Sequence, residues 1–437
     1  MKRLTHILVL LIILSASCQN KQSAKLPDNE AELLHAGMYH LTAVIVHDIF
    51  SPPVASRIYA YSSLAFYEGI RFKNKNEASI AERLNGFPSM PMPQDDTEYN
   101  YMVAALRAFY SVGSQLIFSK DSLQLNEEAA LAIYQQLLDE NVYQQSKALG
   151  DSIASRIMKR AAADNYKQTR GMPRYSVYKE DGKWTQTPPD YMDAVEPHWA
   201  KIKPLLLDSA AQFKPIPPPQ FDTDSTSEYY RQLMEVYNTT MNLTDSQDTI
   251  ARYWDDNAFV TQHEGHLMYA TKKTTPGGHW MGITSILSKQ RDVGIVEAAR
   301  AYTMVAASIL DGFITCWDEK YRSRTIRPIT VIHDRVDVDW NPVLQTPPFP
   351  EYPSGHSTIS MAAATVLIHL FDDDTPFTDT TELEYLGLKR YFPSISMAAE
   401  EVGISRLYGG IHYRAAIEQG SWQGQQVGQL YINEIGK

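Results

Sequence analysis

An all-α protein built as two packed helical halves is the fold this chain predicts, on three observations. Apolar residues recur at helical spacing from about Glu30 onward. Strand-like alternation is scarce. One proline cluster, Pro215, Pro217, Pro218 and Pro219, interrupts the pattern near its middle. With 437 residues, 44% of them apolar and 21% charged, the chain is long enough to bury a sizeable core.

The first seventeen residues stand apart from that fold. Lys2-Arg3, the apolar run from Ile7 to Leu14, and Ser15-Ala16-Ser17 read as a secretory signal peptide. Cleavage before Cys18 leaves a cysteine at the mature N-terminus, in the manner of a bacterial lipoprotein, although Ser15 stands where that pattern more often has leucine. The expectation is an extracytoplasmic lipoprotein, periplasmic or attached to the outer membrane, with lipid on Cys18 and residues 18–29 as a polar tether.

The N-terminal helical half covers residues 30–220. Within it Leu123 to Leu138 is periodic after Asp121-Ser122, and Leu149, Ile153 and Ile157 continue at i, i+4 in the next helix. Pro88, Pro91 and Pro93 mark a connection. The C-terminal half, residues 221–437, contains an Ala-rich stretch from Ile295 to Trp317, apolar on most faces, that reads as a central buried helix with Lys320 at its end. A second strongly apolar helix, Ile359 to Phe371, places Ser354-Gly355-His356 at a helix N-terminus.

Composition excludes several classes of function. A net charge of -11 argues against a nucleic-acid or anionic-lipid surface. Beyond the leader, no apolar run approaches the roughly 18 residues that cross a bilayer, so membrane contact is expected through the lipid alone. With Cys18 lipidated, Cys316 is the one remaining cysteine. It cannot form an internal disulfide and reads as a packed thiol.

Three ordered blocks carry the chemistry: Lys320 with Arg327-Pro328, then Pro353-Ser354-Gly355-His356, then Ser405-Arg406 with His412 five residues beyond. Ten specified residues in this order arise by chance about once in a million such chains. A helix N-terminus offers unpaired N–H groups and a partial positive charge, Gly355 lets backbone approach, and Ser354 adds a hydroxyl. Lys320, Arg327 and Arg406 bring three cations, two of them with planar forks suited to a tetrahedral oxyanion. Of two imidazoles, His412 beside Arg406 is assigned to the central atom and His356 to acid–base work. His263, His266, His279 and His333 read as structural. His263-Glu264-Gly265-His266 lacks the spacing of a zinc helix motif.

The pattern Lys-x6-Arg-Pro, Pro-Ser-Gly-His and Ser-Arg-x5-His resembles the shared signature of vanadium-dependent haloperoxidases and type 2 phosphatidic acid phosphatases. The resemblance covers Trp317 to His412 and is most like the bacterial haloperoxidases. It implies an all-helical fold built around two four-helix bundles. It further implies vanadate as cofactor, hydrogen-bonded by Lys320, Arg327, Ser354, Gly355 and Arg406, with His412 as axial vanadium ligand and His356 assisting peroxide turnover. The implied partners are hydrogen peroxide, a halide and a small organic acceptor. Iodide and bromide are favoured, iodide because it is oxidised most easily.

Trp317 and Phe349 match the halide side of such pockets, Phe349 standing where many algal bromoperoxidases have histidine. Ala416 stands where an aspartate often orients the second histidine, so a carbonyl or another carboxylate must hold His412. The same pocket admits a soluble acid phosphatase working through phosphohistidine on His412, and a non-enzymatic anion-binding surface lipoprotein is a further alternative. The soluble phosphatases of the superfamily are much shorter, and its lipid phosphatases cross the membrane repeatedly.

Overall fold

A computed structural model describes residues 29–75, 77–177, 179–264 and 266–436. The leader, Cys18 and most of the tether lie outside the described residues. Polar side chains start most of the helices. In the first half these are α1 (Ala31–His47), α2 (Pro52–Ile70, proline at its start), α3 (Tyr101–Leu116, capped by Asn100), α4 (Lys120–Leu137), α5 (Glu140–Ala162, capped by Asp139) and the short α6 (Tyr166–Arg170). α4 begins a turn before Leu123, where the Asp48 carboxylate accepts from the Phe118 and Ser119 N–H groups.

The second half follows an irregular stretch: α7 (Glu228–Met241), α8 (Asp245–Tyr253), α9 (Pro276–Gln290), α10 (Ile295–Ser323), α11 (Pro328–Arg335), α12 (Gly355–Phe371), the one-turn α13 (Leu383–Leu386), α14 (Ile395–Tyr408) and α15 (Arg414–Ile435). Strands are confined, among the described residues, to two antiparallel hairpins: β1 (Phe259–Glu264) with β2 (Leu267–Lys272), and β3 (Phe377–Asp379) with β4 (Arg390–Phe392). The predicted all-α class is the observed one.

The helix predicted from Ile295 is the central element. α10 is buried along almost its whole length and packs against α2 on one side and α12 on the other, so a single apolar core runs from Ala31 to Ile435 across the proline cluster at Pro215–Pro219. Asp311 on α10 fastens that junction. Its buried carboxylate accepts from the N–H groups of Leu205, Leu206 and Leu207 and from the Tyr431 hydroxyl on α15. A smaller cluster around Leu233, Ile332, Trp340 and Leu407 seals α7 and α11 onto α14.

Glycine sets the position of α12. On α15, Gly420, Gly424 and Gly428 recur every four residues along the face against α12. A Cβ at Gly424 would fall 2.1 Å from the Thr358 carbonyl oxygen, and one at Gly420 would fall 2.7 Å from that of Ser354. The backbones therefore meet directly, fixing the N-terminus of α12 against α15.

Candidate active site

The three sequence blocks converge at that N-terminus. Lys320 comes from the last turns of α10, Arg327 from the start of α11, Ser354-Gly355-His356 from α12, Arg406 from α14, and His412 from the α14–α15 connection. Lys320, Arg327, Ser354 and Arg406 have no solvent exposure and His412 has 2%. Cations buried to this degree are held by geometry, and three of them together call for an anion.

Each cation is anchored differently. Lys320 Nζ donates to the carbonyls of Pro350 (2.9 Å), Glu351 (3.0 Å) and Pro353 (2.6 Å), spending all three protons on the loop that leads into α12. Burial pushes its pKa down to about 7, against which the three carbonyl acceptors favour the ammonium form. Arg406 closes the C-terminal end of α8, donating to the carbonyls of Trp254 and Ala251 and to that of Asp255 just beyond. Arg327 donates through Nε to Phe349 O (3.0 Å) and through Nη1 to Ile411 O (2.8 Å), while its buried Nη2 has no partner among the described residues. Burial lowers both arginines to about 10, leaving each charged at neutral pH.

The donors that remain define an anion cradle. Ser354 Oγ accepts from Ser357 N (3.2 Å) and Ser357 Oγ (2.9 Å), so its own proton is left to donate outward. The first N–H groups of α12 have no acceptor within the helix. A Cβ on Gly355 would make ordinary contacts with Trp317 at 3.5 Å and Lys320 Cε at 3.9 Å, and the glycine leaves that space open beside the backbone.

A carboxylate that sequence did not single out holds His412. Glu351 Oε1 lies 2.8 Å from His412 Nδ1 and 3.0 Å from Tyr413 N. It takes the part that Ala416 cannot play. The proton is thereby fixed on Nδ1 and the Nε2 lone pair faces Arg327 Nη1 at 3.2 Å. Burial, then Arg327, Lys320 and Arg406, hold the His412 pKa well below its ordinary value, so the ring is neutral. Burial raises Glu351 to about 7 against the pull of Arg327 and Lys320. The signal available was an acid locked between Pro350 and Pro353 in the motif's own loop.

His356 is half-buried, with Nε2 3.2 Å from the Asp255 carbonyl and 3.3 Å from Arg406 Nη1. Burial and the Arg406 charge keep it well below its ordinary pKa, hence neutral and able to accept a proton. Beside it opens a cavity of about 350 Å³, with Pro52, Met192, Phe259 and Phe349 among its apolar lining and Asp255, Asp256, His356 and Arg406 among its polar lining. Trp317 and Phe349 are in ring contact at 5.0 Å, but only Phe349 lines this cavity. Trp317 is buried behind it, donating Nε1 to Val195 O at 3.2 Å. Cys316 is fully buried, and burial raises its thiol pKa. His266 is exposed, and His333 bonds the Trp340 carbonyl.

These groups fit a tetrahedral oxyanion bound to an imidazole. Arg327 Nη2, the Ser354 hydroxyl and the α12 N–H groups are the available donors, and His412 Nε2 is the available ligand.

Comparison with known proteins agrees with the geometry. The family model of the VCPO second helical-bundle domain matches residues 333–436. A crystal structure described as the first bacterial vanadium-dependent iodoperoxidase is 44% identical, with a TM-score of 0.86, covering 93% of this chain and 96% of its own. Holo- and apo-type bacterial vanadium-dependent chloroperoxidases share the fold at 19% identity, with TM-scores of 0.69 and 0.66. Each covers 89% of this chain, and 93% and 95% of their own chains are matched. Among curated proteins there is no significant match.

Proposed function

The chain belongs to the vanadium-dependent haloperoxidases, being 44% identical over 93% of its length to one of them, and on that premise we propose that it uses vanadate and hydrogen peroxide to oxidise a halide, iodide ahead of bromide, to a hypohalous equivalent. The observation that carries this reading is the pairing of a neutral His412, its Nε2 lone pair facing inward, with the unpartnered donor Arg327 Nη2.

His412 would ligate vanadium. Arg327, Ser354 and the backbone of Gly355 would donate to vanadate oxygens. Lys320 and Arg406 would add charge from behind while keeping their carbonyl partners. Vanadate bound there supplies a Lewis acid that activates hydrogen peroxide toward halide attack. The neutral His356 imidazole would accept a peroxide proton and return it to the product side. Phe349 keeps water from the apolar flank, where a halide or small organic acceptor would enter.

The test uses the chain loaded with orthovanadate, measuring triiodide formation and bromination of an organic trap with hydrogen peroxide, beside p-nitrophenyl phosphate hydrolysis without vanadate. Vanadate-dependent triiodide formation exceeding bromination is the expected result. Phosphate release inhibited by vanadate, with no halide oxidation, would replace it with the phosphatase. The reading also places the enzyme outside the cytoplasm on a lipid at Cys18. Cys18→Ala should move it from the membrane to the soluble fraction, and unchanged fractionation would refute the anchor.

A further inference from the structure

Behind the oxyanion site lies a second buried cluster. His279, on α9, is wholly enclosed, with Nδ1 2.9 Å from Asp256 Oδ1 and Nε2 2.7 Å from Asp379 Oδ2. Glu382 is 1% exposed, and its Oε1, 3.9 Å from His279 Nδ1, has no hydrogen-bond partner among the described residues. Ligand atoms of Asp256, His279 and Glu382 all lie within 4.8 Å of one another. Trp254 stacks on the imidazole at 4.4 Å and Tyr253 meets it edge-on at 5.7 Å, covering the ring.

Acidic groups outnumber the basic one here. Three carboxyl groups surround one imidazole, and Lys273 pairs with Asp255 Oδ2 at 2.8 Å rather than with the cluster. One imidazole stands among three acidic groups, and the buried Glu382 Oε1 is left without a partner, which is costly. A divalent cation satisfies both demands. One ring nitrogen and two carboxylates form its ligands, and a third carboxylate on the far nitrogen is the usual support for a metal-bound histidine.

We propose that Asp256, His279 and Glu382 bind a first-row divalent metal ion of the zinc or manganese type, with Asp379 orienting His279 from behind. Coordination through Nδ1 expels the proton shared with Asp256, while Asp379 keeps the one on Nε2. Asp256 stands between the ion and the cavity that His356 and Arg406 line, so the ion acts by holding that wall in place. It fixes Asp256 and with it the preceding carbonyls of Trp254 and Asp255, on which Arg406 and His356 rest.

The experiment is metal analysis of the untagged full chain, followed by chelation and titration with zinc and, separately, manganese. One equivalent per chain is expected, with a Tm that rises with metal concentration. Glu382→Gln and Asp256→Asn, each confirmed folded by circular dichroism, should weaken binding at least about tenfold. His279→Gln should abolish it. Should that variant not fold, Glu382→Gln decides. Wild-type chain that takes up neither ion, or metal retained equally by the Glu382→Gln and Asp256→Asn variants, overturns the site. The readout needs no vanadate, peroxide or halide, so it stands or falls apart from the haloperoxidase reading.

Discussion

His412 and His279 are both enclosed imidazoles with a carboxylate on Nδ1, yet without an ion at His279 their surroundings drive them to opposite protonation states. At His412 the second nitrogen faces Arg327, and Lys320 and Arg406 lie close by, so burial and three cations keep the ring neutral. At His279 a second carboxylate takes Nε2, and, with only protons to share, Asp256 and Asp379 raise its pKa well above the ordinary value despite burial. A carboxylate fixes orientation in both cases, Glu351 on Nδ1 of His412 and Asp379 on Nε2 of His279. What stands opposite the other nitrogen decides whether the ring offers a lone pair or holds a proton.

The largest effect comes from removing the lone pair. His412→Ala should abolish vanadate-dependent halide oxidation and weaken vanadate binding measured by equilibrium dialysis, with the fold retained. Peroxidase activity surviving at the wild-type level would sink the ligand assignment. His279 is the contrasting position: its loss should act on metal content and stability first.

Next come the orienting carboxylates. Glu351→Leu leaves His412 Nδ1 without its acceptor and should lower vanadate affinity and turnover about 10–100-fold. Glu351→Gln, whose amide oxygen can still accept from Nδ1, should recover most of it. Equal damage from both variants would point to packing rather than ring orientation. The matching change at the other imidazole, Asp379→Leu, strands His279 Nε2–H and should cost about 1–3 kcal/mol in urea unfolding while leaving halide selectivity untouched.

These carboxylates also mark where sequence stopped being informative. The helices were legible because burial imposes a period: α10 is apolar on nearly every face, and Leu149, Ile153 and Ile157 all point into the core from α5. The motif residues were legible because an oxyanion pocket needs fixed residue types around one helix N-terminus. Glu351 reaches His412 across 61 positions and Asp379 reaches His279 across 100. Pairings of that range leave no periodic trace, and an acid in a loop reads first as solvated. Side-chain direction was equally hidden. Trp317 and Phe349 touch each other, but only the fold shows that Phe349 lines the cavity while Trp317 supports it.

The smallest expected effect concerns Lys320, which after burial and Arg327 holds the His412 pKa down. Lys320 is held down to about 7 by burial, so its ammonium is present below that pH and is lost as the pH rises through it. Deprotonation leaves one of the Pro350, Glu351 and Pro353 carbonyls without a donor, loosening the loop that carries both Glu351 and Ser354, and removes one positive charge from the pocket. Vanadate affinity should therefore fall several-fold above about pH 7 in the wild type. Lys320→Met should bind more weakly throughout and lack that extra fall, since vanadate's own titration is common to both proteins. Parallel pH profiles would show that the three carbonyls hold the ammonium charged across the range. Lys320 would then join Arg406 as a charge fixed across the range, and the pocket would keep its full positive charge above pH 7.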